Sequence, residues 1–117
     1  MKKIYHLQTC DTCQRIIKEL QLPSDFVLQD IKTEKITTEQ LDEMHRLAGS
    51  YEALFSKRAR LYKERGLKDR ALTEKDYKDL ILEHYTFLKR PVTIVDDHIF
   101  IGNSKKVVAE AKDAIHS

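Results

Sequence analysis

The sequence is poor in the features that would mark most alternatives. It has two cysteines, too few for the disulfide framework of a small secreted protein. Its three glycines (Gly49, Gly66, Gly102) and two prolines (Pro23, Pro91) form no linker, and there is no repeat or low-complexity tract. No apolar run exceeds three residues, which excludes a transmembrane helix and the apolar core of a secretory signal. An excess of one charge is missing as well. Against 21 Lys plus Arg stand 19 Asp plus Glu, a net +2, so no global field marks a nucleic-acid binder. A cytoplasmic enzyme or regulator remains, with no membrane and no direct nucleic-acid partner expected.

At 117 residues the chain reads as one domain, residues 1–117, with one core. A chain this long buries about 60–70% of its unfolded surface, enough to fold without a metal or a disulfide. The 41% hydrophobic fraction argues against disorder, and 34% charge implies a well-solvated surface. That charge is uneven. Seven basic residues lie between Lys57 and Arg70 against Glu64 and Asp69, a net +5 that leaves the remainder at −3.

Lys2–Leu7, with Ile4, Tyr5 and Leu7, reads as a strand. After Thr9-Cys10-Asp11-Thr12 comes the stripe Cys13, Ile16, Ile17, Leu20, one face of a helix. Leu22-Pro23-Ser24 ends it, because proline disfavours helical geometry in the residue before it. Phe26–Ile31 is a second strand, so the opening is strand–helix–strand, suited to a right-handed parallel crossover. The middle is helical. Thr37 and Gln40 have the capping-box spacing ahead of Leu41, Met44 and Leu47, and Gly49-Ser50 interrupts. Glu52–Arg65 reads as a further helical stretch ending near Gly66. Thr73 can cap a helix carrying Tyr77, Leu80, Ile81 and His84, with His84 on the apolar stripe as a core residue. Then the period changes. Val92–Val95, a turn at Asp96-Asp97 and Ile99–Ile101 form a hairpin, and Ser104 can cap a last helix bearing Val107, Val108, Ala111 and Ile115. The order βαβ, helical insertion at about 37–86, ββα fits an α/β thioredoxin-like fold with a four-stranded mixed sheet.

Cys10 and Cys13 form a Cys-x-x-Cys. Structural zinc normally needs two more ligands at comparable spacing, and the five histidines (His6, His45, His84, His98, His116) share none, so no metal site is expected. A redox pair needs the first cysteine at the mouth of a helix that follows a strand, which is where Cys10 falls. The unpaired N–H groups and positive dipole end there favour a thiolate, the only nucleophilic form. Cys13 heads the apolar stripe, which suits a resolving thiol that attacks a mixed disulfide on Cys10. The alternative for Cys13 is a small buried hydrophobe.

Ile4-Tyr5, Thr9-Cys10-Asp11-Thr12-Cys13, Ala53-Leu54-Phe55-Ser56-Lys57-Arg58 and Leu88-Lys89-Arg90-Pro91-Val92 together resemble the ArsC/Spx/YffB family. These are bacterial thioredoxin-fold proteins whose two halves are separated by a helical insertion. The resemblance spans essentially the whole chain. It implies an arsenate reductase-like thiol oxidoreductase with Cys10 as nucleophile, Cys13 as resolving thiol and Arg90 beside the bound oxyanion or thiolate. Pro91 is implied to be cis and to face the Cys loop. Thr12, Arg58, Pro91 and Asn103 are the implied substrate-binding residues. No cofactor is expected to be bound, and glutathione/glutaredoxin or thioredoxin is the implied electron donor and partner.

The sequence departs from the family's pattern in places. Members that reduce arsenate hold the anion with three arginines. Arg90 matches one; the second falls on Ser56, with Arg58 as a possible stand-in, and the third falls near Asn103. The Arg that follows the Cys loop in many members is Gln14 here. Charge-assisted contacts contribute roughly 1.5–3 kcal/mol each, so losing two weakens oxyanion binding considerably. Spx-like members use the Cys-x-x-Cys as a redox switch and dock on the C-terminal domain of the RNA polymerase α subunit. That is the alternative function, although Gly49-Ser50, near the family's docking glycine, better suits a helix cap, since the surrounding residues match the docking site poorly. The Lys57–Arg70 cluster could draw in an anionic thiol or an oxyanion, or be a solvated helix face.

Overall fold

The computed structural model describes residues 1–117, which form two compact units: residues 1–35 with 90–117, and residues 36–89. The segment read as a helical insertion, about 37–86, falls within the second of these units.

In the first unit, β1 (Lys2–His6) leads through the Cys loop into α1 (Asp11–Leu20), whose stripe buries Cys13, Ile16 and Leu20. The helix stops before the proline. Gln21 takes a left-handed conformation (φ 52°) and its N–H bonds to the Lys18 carbonyl at 3.3 Å. β2 (Val27–Asp30) is shorter than the expected Phe26–Ile31, because the Phe26 N–H is used in a turn to the Pro23 carbonyl. β2 pairs parallel with β1 (Ile4 opposite Leu28).

Within residues 36–89, α2 (Thr38–Ala48) starts with the expected capping box. The Gln40 N–H donates to Thr37 Oγ1 at 3.1 Å, and the Thr37 N–H to Gln40 Oε1 at 3.0 Å. It ends at Gly49, whose φ of 90° is readily available only to glycine. The expected continuous helix over Glu52–Arg65 does not form. A 3-10 turn at Glu52–Leu54 gives way to an extended Phe55, which bridges antiparallel to Leu88. The Ser56 N–H bonds to the Phe87 carbonyl at 2.7 Å and the Lys89 N–H to the Leu54 carbonyl at 2.8 Å. Helix resumes only as α3 (Arg60–Glu64). The extended backbone sets the buried Phe55 ring among Tyr62, Tyr77 and Phe87, at centroid distances of 5.9, 4.8 and 5.3 Å. Long-range aromatic packing overrides local helix propensity here.

α4 (Glu74–Glu83) has a second capping box, between Thr73 and Asp76. His84 is not a core residue as expected. The helix's buried face ends at Ile81, and His84 is its half-buried, extended C-cap. Its Nδ1 accepts the Thr86 N–H at 3.0 Å, which starts the 3-10 turn Tyr85–Phe87.

The chain then re-enters the sheet. β3 (Val92–Val95) pairs antiparallel with β1 (Ile4 opposite Thr93) and with β4 (His98–Ile101) across the Asp96-Asp97 turn, giving the order β2-β1-β3-β4. α5 (Lys105–His116), capped by Ser104, lies with α1 against the sheet. Their shared core is Ile4, Ile16, Leu20, Phe26, Val95, Val108 and Ala111. Imidazole Nε2 of His116 meets the Leu20 carbonyl at 2.7 Å, tying the ends of the two helices together. No helix is long and apolar enough to cross a membrane.

Candidate active site

The Cys loop is the bend between β1 and α1. Its backbone is closed by the Cys10 N–H on the Leu7 carbonyl at 3.0 Å and by the Gln14 N–H on the Cys10 carbonyl at 3.1 Å. Cys10 is the N-cap of α1 in extended conformation, with the Thr12 and Cys13 N–H groups of the first turn turned toward its sulfur. Both cysteines are free, Cys10 half-buried and Cys13 buried.

The two thiols are pushed apart in acidity. Partial burial works against the Cys10 thiolate, but it is outweighed by the Cys13 N–H and thiol, the Arg90 charge and the Thr12 N–H, which hold its pKa below the ordinary value. Cys13 is pushed up to about 11, chiefly by burial and further by the neighbouring Cys10, against a Leu7 backbone hydrogen bond and Arg90. A half-buried thiol that ionises early beside a buried one that ionises late can give nucleophilic attack followed by internal disulfide closure.

Cys10, Thr12, Cys13 and Arg90 are thus brought together. The Arg90–Pro91 peptide is cis, as the resemblance implied, and Pro91 is buried. The Pro91 carbonyl accepts the Gly102 N–H at 2.9 Å, just before the exposed Asn103. Arg58 belongs to the 36–89 unit, where it is exposed, and Ser56 is half-buried there. All seven bases of the Lys57–Arg70 cluster are exposed, with Lys57 paired to Glu52 at 3.1 Å and Arg65 to Glu83 at 2.6 Å. No three His, Cys, Asp or Glu side chains converge as a metal site.

Sequence reasoning missed the polar support behind the loop. His6, buried at the end of β1, lies with its Nδ1 3.4 Å from Gln14 Nε2. Burial lowers its pKa, with Asp30 opposing. Asp30 Oδ1 accepts the N–H groups of Gln8 and Lys32, each at 3.3 Å, and Oδ2 accepts the Thr33 hydroxyl at 3.2 Å. Slight burial opposes ionisation of Asp30, yet these donors and His6 hold its pKa below the ordinary value. A polar residue immediately after Cys13 was the only local signal of this network.

A family model described as ArsC family matches residues 5–111. No curated protein matches the chain. Among solved structures, an ArsC family related protein from Bacteroides fragilis superposes with a TM-score of 0.79 at 21% identity, covering 94% of this chain and 96% of that one. An arsenate reductase from Vibrio cholerae gives 0.74 at 23% identity, covering 94% and 96%. An arsenate reductase related protein from Brucella melitensis gives 0.68 at 20%, covering 90% and 88%. At these identities the structural likeness establishes the thioredoxin-like fold.

Proposed function

The chain belongs to the ArsC family of thiol oxidoreductases, and from that premise we propose that it is a cytoplasmic, arsenate reductase-like enzyme working through Cys10 and Cys13. The observation that carries the proposal is the placement of the two free thiols, Cys10 half-buried at the N-cap of α1 and Cys13 buried in its first turn, with the Arg90 charge acting on both. The Cys10 thiolate attacks an electrophilic oxyanion or disulfide. With arsenate it displaces hydroxide and forms a sulfur–arsenic bond. With a disulfide it displaces a thiolate and forms a mixed disulfide. Arg90 stabilises the negative charge that develops on the displaced group. Cys13, deprotonated as it reacts, attacks the Cys10 sulfur; the Cys10–Cys13 disulfide forms and two electrons pass to arsenic or to the leaving thiol. Glutathione/glutaredoxin or thioredoxin then returns two electrons to the disulfide.

The test is a coupled NADPH assay with arsenate or a glutathione mixed disulfide as substrate, run separately with glutaredoxin and with thioredoxin. Turnover is expected with at least one pair, lost in Cys10→Ser and impaired more by Arg90→Lys than by Ser56→Ala. A planar guanidinium fork holds an oxyanion in a way an ammonium does not. No turnover with either substrate and either donor would contradict the proposal.

A further inference from the structure

One peptide unit behind the Cys loop is held from three directions. The carbonyl of Leu7 accepts the Cys10 N–H at 3.0 Å and the side-chain amide of Gln14 at 3.2 Å. The N–H of the same peptide, on Gln8, donates to Asp30 Oδ1 at 3.3 Å. Leu7 also reaches the second cysteine, through a backbone hydrogen bond to the Cys13 thiol. So a single residue, Leu7, touches the main chain of Cys10 on one side and the sulfur of Cys13 on the other.

Gln14 is the part of this arrangement that comes from α1. Its backbone N–H bonds to the Cys10 carbonyl at 3.1 Å while its side chain reaches back to Leu7. The same amide nitrogen lies 3.4 Å from Nδ1 of the buried His6, which provides a second acceptor beside the first. Gln14 therefore spans the loop, with its backbone at the Cys10 end and its side chain at the strand end. A half-buried amide bonded to a main-chain carbonyl is a fixed strut, where a solvent-facing one would be free to turn.

We infer that Gln14 is a positioning residue for the thiol pair: by clamping the Leu7 carbonyl to α1 it holds Cys10 and Cys13 in the relative placement that disulfide closure requires. The inference rests on the functional reading above for its importance, and on the three hydrogen bonds for its geometry. Without the Gln14 donor, the Leu7 carbonyl keeps only the Cys10 N–H, and the loop can rotate away from the helix.

The decisive variant is Gln14→Asn, which keeps the amide but withdraws it by one methylene, out of reach of Leu7. Gln14→Met keeps the length and removes the donor. Arg15→Asn, on the exposed face of the same helix, is the control. Two quantities are read by intact mass: the rate of peroxide-driven Cys10–Cys13 disulfide formation, and the pH profile of Cys10 alkylation by iodoacetamide. Both Gln14 variants are expected to close the disulfide more slowly, by about two- to tenfold, the share of one neutral hydrogen bond, and to shift the alkylation profile to higher pH. Arg15→Asn should match wild type in both. Wild-type rates and profiles in Gln14→Asn and Gln14→Met would overturn the inference. If the wild-type protein itself forms no Cys10–Cys13 disulfide, the functional reading fails instead, and the alkylation profile of Gln14→Asn still decides the role of Gln14.

Discussion

The two units satisfy their backbones by different means. In residues 1–35 and 90–117, three ladders join β2, β1, β3 and β4, and α1 and α5 cover an aliphatic core. In residues 36–89 there is only one isolated bridge, Phe55 to Leu88. Helices satisfy most of that unit's remaining backbone, and side chains close their ends. Thr37 with Gln40 and Thr73 with Asp76 close reciprocal caps, and the Glu74 carboxylate accepts the N–H groups of Tyr51 at 2.7 Å and Glu52 at 3.1 Å. Aromatic rings join the aliphatic core there. In the first unit the Cys loop leaves β1, a strand paired on both edges, and enters α1. The second relies on individual side chains, each of which can be removed.

The largest expected effect comes from the aromatic cluster. Phe55→Ala removes a ring that is 1% exposed and touches three others, and should cost about 3–5 kcal/mol. Urea unfolding followed by amide exchange should show protection lost first in α4, with β1 less affected. Loss of equal size in β1 would mean the two units unfold as one. A smaller effect is expected from the caps. Thr37→Ala and Thr73→Ala should each lower stability by about 1 kcal/mol, and Ser104→Ala, whose cap has no reciprocal bond, by less. Equal unfolding midpoints for all three variants would remove the distinction.

The smallest effect sharpens the comparison by pH. His6, in the sheet unit, has a lowered pKa, so the unfolded chain binds its proton more readily than the native one does. Its contribution to stability is complete above the unfolded value of about 6.5 and declines as pH falls below it. The lowered carboxylates of the other unit, Asp42, Glu52, Asp76 and Glu83, contribute above the unfolded carboxylate range and are lost only as pH falls through their lower native values. Between about pH 6.5 and 5, amide protection in β1, corrected for intrinsic exchange, should therefore fall relative to α4. His6→Gln should abolish the difference; its persistence would assign it elsewhere.

The same contrast explains what was legible in the sequence. Ladders and amphipathic stripes write themselves into local periodicity. The β1–α1–β2 opening, the Val92–Val95 strand, its return strand and the Ser104 cap could accordingly be read to within a few residues. The Cys-x-x-Cys marked the site because its spacing is local too. Glu52–Arg65 was misread because its residues are compatible with a helix and contain neither proline nor glycine. What breaks the helix is an isolated bridge to Leu88, more than thirty positions away. The support around Gln14, His6 and Asp30 was invisible for a similar reason, since it exists only where α1 and the ends of β1 and β2 meet.

The central claim is that Cys10 and Cys13 have opposite characters one helical turn apart. It is tested most directly by a pH series of iodoacetamide alkylation on Cys10→Ser and Cys13→Ser, each read by mass. The protein retaining Cys10 should react at lower pH, because the helix N-terminus, the backbone N–H groups of positions 12 and 13 and Arg90 favour its thiolate. The protein retaining Cys13, whose thiolate burial disfavours, should react far more slowly at neutral pH. Equal alkylation rates at neutral pH would contradict the assignment of roles.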